Sequence, residues 1–101
     1  MIAPEVAWDK LTNFQTADEL RDYFKSENVK GIIGHAQNCP IATWLRKTTG
    51  HRLVTVAGQI KFIGYNNIIA FEHTKATEDF ISKFDHEDYP ELISSEEGKW
   101  K

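Results

Sequence analysis

The sequence predicts an α+β fold: a single two-layer domain in which helices are segregated from a small antiparallel meander, in the order α-α-β-β-β-α. Three observations carry this expectation. Apolar residues recur at helical spacing from Leu20, from Ile41 and from Phe80. Between Leu53 and Glu72 the pattern shortens to β-branched runs separated by turn residues. At 101 residues, the chain has room for one core and not for two. Three Trp, six Phe and three Tyr give that core large rings to bury.

The first helix opens at Thr16, where Thr16 and Glu19 have capping-box spacing. Leu20, Tyr23 and Phe24 fall on one face, and Asp18, Arg21, Asp22 and Lys25 on the other. It should end near Asn28, ahead of Val29, Gly31 and Gly34. A polar loop, His35-Ala36-Gln37-Asn38, leads into the second helix, where Asn38 or Cys39 is the cap and Pro40 suits the first turn. Ile41, Trp44 and Leu45 make its buried stripe. Gly50 is its left-handed stop, and Arg46 and Lys47 face the negative end of its dipole.

Residues 52–63 read as a hairpin turning at Ala57-Gly58, and Tyr65-Asn66-Asn67 turns into a third strand over Ile68–Glu72. Lys61 between Ile60 and Phe62 predicts one wet sheet face. The last helix is capped by Thr74 or Thr77, turns Phe80, Ile81 and Phe84 inward, and stops near His86 before Pro90. The expected domain is residues 1–93, with residues 94–101, including Trp100, as a polar, frayed tail. The expected core is Leu20, Phe24, Ile41, Trp44, Leu45, Val54, Val56, Phe62, Phe80 and Phe84.

Composition narrows the function classes. A single cysteine excludes an internal disulfide framework and suits a reducing, cytoplasmic setting. Met1-Ile2-Ala3-Pro4-Glu5 lacks the basic flank and apolar run of a secretory leader. No apolar run approaches the ~20 residues of a membrane helix, so no membrane role is expected.

Charge is segregated along the chain. Residues 28–71 hold no Asp or Glu but carry Lys30, Arg46, Lys47, Arg52 and Lys61, a net +5 between flanks of −3 and −5. Strand composition and a dipole-matched helix end explain part of this. The sharper alternative is an electropositive recognition face built from Arg46, Lys47, Arg52 and Lys61, with His35 and Asn38 at the nearby helix start.

The turn before the second helix is the other suggestive feature. A cysteine at a helix N-terminus sits at the positive end of the dipole, which favours a thiolate, and His35 four residues upstream is a candidate base. The plainer alternative is that Cys39 is a small buried hydrophobe. His35, Cys39, His51 and His73 lack the paired spacing of a structural zinc site, so no metal is expected. No glycine-rich nucleotide loop is present, and no cofactor is implied.

Three functions compete. The favoured one is a small, non-enzymatic binding or regulatory protein that acts by contact with a macromolecular partner, a protein ahead of a nucleic acid. The second is a winged-helix-like DNA binder with residues 40–48 as recognition helix and residues 52–63 as wing. Against it stand the long gap between the first two helices and a net charge of −3. The third is a thiol enzyme using Cys39 and His35, which lacks an oriented base and an oxyanion site.

Overall fold

A computed structural model describes residues 1–94. Its elements run α1 (Pro4–Thr12), α2 (Ala17–Ser26), α3 (Pro40–Thr49), β1 (Leu53–Val56), β2 (Ile60–Ile63), β3 (Ile68–Phe71) and α4 (Lys75–Asp85), then a 3₁₀ turn at Pro90–Leu92. The α+β class and the antiparallel meander are as expected, with one helix more than expected at the start.

That extra helix, α1, has little to announce it. Its N-cap is Ala3, which has no side-chain acceptor, so only Pro4 marks the beginning. Ala7, Trp8 and Leu11 form a narrow buried stripe. The helix lies against α3, where the Ile2 amide donates to the Thr48 carbonyl at 3.1 Å. Trp8 stacks on Phe71 of β3 with ring centroids 6.0 Å apart.

The other helices start on side-chain hydrogen bonds. Thr16 Oγ1 accepts from the Glu19 amide at 3.2 Å. The Glu19 carboxylate accepts from Gln15, one residue further back than an ordinary capping box, at 2.7 Å. Asn28, at φ 58°, supplies the left-handed exit from α2. For α4, Thr74 and Thr77 both take part, as a reciprocal capping pair. Gly50, at φ 79°, ends α3 as expected.

The sheet order is β1-β2-β3, with each neighbouring pair antiparallel. The register places Val54, Phe62 and Ile69 in one row and Val56, Ile60 and Phe71 in the next, facing the helices. The opposite face carries a row of Leu53, Ile63 and Ile68 and a row of Thr55, Lys61 and Ala70.

All ten expected core residues are buried, and Ala7, Trp8, Leu11, Val29, Ile60, Tyr89 and Leu92 join them. Tyr23 and Ile81, expected to face inward, are half-buried at the edge of this cluster. Phe24 is the junction: its ring meets Trp44 of α3 at 6.4 Å and Phe80 of α4 at 5.3 Å. Phe80 continues the stack to Phe84 and Tyr89.

Gly31 sits where no side chain fits, since a Cβ there would come within 2.6 Å of Cys39 and Pro40 backbone atoms. Its amide donates to the Leu92 carbonyl at 2.8 Å, and its carbonyl accepts from the Ser94 amide at 2.9 Å. Ser94 is therefore tied to the domain rather than beginning a free tail. The rest of the expected tail, with Trp100, lies outside the described residues.

The Tyr89 hydroxyl donates to Asp18 at 2.8 Å, and Lys83 stands 3.8 Å from the same carboxylate. This hydrogen bond first, and Lys83 second, hold the Asp18 pKa below its ordinary value.

Two outcomes test this packing. Trp44→Ala should cost roughly 3–5 kcal/mol in urea unfolding, from lost burial and a residual cavity. Asp18 should contribute stability above about pH 4 that is lost as pH falls through its lowered folded-state pKa. An acid titration of Asp18→Asn should show a flatter loss of stability, and identical titrations would exclude the contribution.

Candidate functional site

The loop entering α3 is consumed by its own bonds. Gly34, at φ 76°, donates its amide to Asp85 of α4 at 3.1 Å. The Ile32 amide donates to the Asn38 carbonyl at 2.8 Å, and the Val56 amide of β1 donates to the Ala36 carbonyl at 2.8 Å. Cys39 caps α3, its Sγ accepting from the Ala42 amide at 3.5 Å.

Cys39 is 6% exposed, and burial pushes its thiol pKa up to about 11. It lines a cleft of about 230 Å³ together with His35 and Asp85. His35 is exposed, and no hydrogen bond joins it to Cys39 among the described residues. Asp85 on the rim opposes both a thiolate and a bound anion. The helix dipole is present, but desolvation outweighs it, which favours the structural role of this cysteine.

The histidines do not gather either. His73 donates through Nε2 to the Ala57 carbonyl at 2.7 Å, while its Nδ1 lies 3.0 Å from Thr77 Oγ1. His51 packs edge-on against Phe62. Among the described residues, no three His, Cys, Asp or Glu side chains form a metal-sized group.

The four cations of the expected basic face divide. Arg46 turns back to the loop, donating to the Gln37 carbonyl and, at 3.4 Å, to Asn38 Oδ1. Asn38 is thus a brace for Arg46, and the two share a small cleft with Lys30. Lys61 projects from the outer face of the sheet, away from the helices. Lys47 and Arg52 are exposed between these positions, at the end of α3 and ahead of β1. Among the described residues Lys30, Lys47, Arg52 and Lys61 have no carboxylate partner; the ion pairs use Arg21, Lys75 and Lys83 instead.

Most of α3 turns inward. Pro40, Ile41, Ala42, Trp44, Leu45 and Thr49 are buried, and α1 lies along it. A helix that reads a DNA groove must offer a face to solvent.

The feature that sequence patterning did not single out is the edge of β3. The Gly64 amide bonds the Asn67 carbonyl at 2.8 Å, so the 64/67 pair is hydrogen-bonded across the turn. Pairing alternates along an antiparallel ladder, so Ile69 and Phe71 bond β2, and Ile68 and Ala70 point their amides and carbonyls outward. Val56 fits the same phase, since its amide leaves the β1 edge toward Ala36. No backbone partner meets Ile68 or Ala70 among the described residues. Beside this open edge Ile68 is 61% exposed and Tyr65 fully exposed. The signal was the run Ile68-Ile69-Ala70-Phe71, apolar on both faces where a half-wet strand would alternate.

Compared with protein-family models, curated proteins and solved structures, the chain matches none.

A thiol reagent near neutral pH should label native Cys39 on the order of 100-fold more slowly than the urea-unfolded chain, since the thiolate fraction falls with the raised pKa. Cys39→Ser should fold with a loss of about 1–2 kcal/mol, the cost of a polar group at a buried cap. Equal labelling rates in the two states would show that Cys39 is reachable and reactive.

Proposed function

We propose that this chain is a small, non-enzymatic binding protein of regulatory type, acting by contact with a protein partner through the outer face and open edge of its sheet. The observation that carries this reading is that, among the described residues, Ile68 and Ala70 of β3 meet no backbone partner, beside exposed Ile68 and Tyr65 side chains. An apolar strand with free amides and carbonyls is a template for another strand. β3 has no proline, lysine or bulge of its own to blunt it.

The candidate chemistry elsewhere is occupied internally, with Cys39 capping α3 and Arg46 bracing residues 37–38. The cations Lys47, Arg52 and Lys61, which have no carboxylate partner among the described residues, then serve to attract and orient a partner, adding to association rate and specificity. This keeps the basic segment in the function but moves its centre from the helix start to the sheet.

An affinity capture with nuclease treatment tests the reading, using the wild-type chain and Ala70→Pro. The Ala70 amide faces solvent, so proline there leaves the β2 ladder intact while blocking an added strand. Protein prey should survive nuclease and be lost with Ala70→Pro at an unchanged Tm. Prey that vanish with nuclease and persist with Ala70→Pro would replace this reading with nucleic-acid binding.

A further inference from the structure

We infer that the strand added to β3 comes from an acidic partner, with a carboxylate side chain opposite Ala70 reaching across it to Lys61. This rests on the proposed edge contact and names the chemistry of what fills it.

The geometry is one of spacing. Lys61 pairs with Ala70 across the β2–β3 ladder, on the outer face. An added strand would lie about 4.8 Å beyond β3, so its residue opposite Ala70 stands about 9.6 Å from the Lys61 backbone. Ala70 is small, and no side chain stands in the space between. A Glu from one side and the four-carbon stem of Lys61 from the other can meet over the Ala70 methyl. A larger residue at position 70 would separate them.

The charge surroundings are equally one-sided. Lys61 has no carboxylate partner among the described residues. Residues 28–71 hold no Asp or Glu, and Glu72, one pair beyond Ala70 on the same face, is bonded to Gln59 rather than to Lys61. A second copy of this chain, pairing β3 to β3, would bring an acid to Lys61 only through Glu72, which Gln59 already bonds. An acidic strand satisfies the backbone edge and the cation at once. On the inner side, the residues flanking the carboxylate would lie beside Ile69 and Phe71, both half-buried, and would be apolar. The expected recognition sequence therefore alternates acidic and apolar residues.

The probes are two ten-residue peptides, acetylated and amidated, one alternating Val with Glu and the other Val with Lys. Binding is read by fluorescence anisotropy at low salt, with Tm as the folding control. The Glu peptide should bind about fivefold tighter than the Lys peptide, the range of one opposite-charge cross-strand pair. Lys61→Glu should invert that preference, and Ala70→Pro should abolish binding of both.

Equal binding of the two peptides, lost in Ala70→Pro, would overturn the acidic partner while leaving the edge contact standing. Failure of both peptides to bind would overturn the inference. A dimer in sedimentation that Ala70→Pro dissolves would overturn it in favour of a second copy.

Discussion

The fold depends on the place where Phe24 is buried. One ring on α2 touches Trp44 of α3 and Phe80 of α4, so three helices share a contact that none of them makes alone. Because α3 in turn packs on β1, the position of the sheet follows from it. The helical cluster fixes α3, α3 fixes β1, and the meander extends away from β1 through two tight turns. β3, the last strand in that succession, is the one farthest from α3 in the sheet order and the one left with an open edge.

Much of this was legible in the residues. Helix starts with hydroxyl caps, Thr16 and Thr74, and the glycine stop at Gly50 are local chemistry, and local chemistry is visible in sequence. The turns at Ala57-Gly58 and Tyr65-Asn66-Asn67 set the meander in the same way. What stayed hidden was whatever depends on a distant partner. α1 has no side-chain cap and is held by α3 and by Phe71, both far along the chain. Gly31 is constrained by the backbone of Cys39 and Pro40 pressing on it, which no local pattern marks.

The candidate site shows the same division. The residues named from sequence are where their local context put them: Cys39 at a cap, Arg46 at a helix end, Lys61 on a wet face. Their grouping was not legible, since Arg46 folds back onto Gln37 and Asn38 while Lys61 projects from the far side of the sheet. A run of like charges in sequence becomes a face only if the elements carrying it turn the same way. Here α3 and β2 do not, and the acid-free segment surrounds the sheet edge instead of one helix end.

The bonds between Gly31 and residues 92 and 94 have a consequence for biosynthesis. The loop entering α3 receives its last backbone partners from almost the far end of the described chain. A nascent chain emerging from a ribosome can form α1, α2 and α3 early, yet Gly31 lacks its backbone partners until residues 92–94 have been made. Native closure around Gly31 thus waits on one long-range encounter, which contact-order reasoning ranks among the slower steps. Until then Gly31 presents bare amide and carbonyl groups next to the helix it later seals.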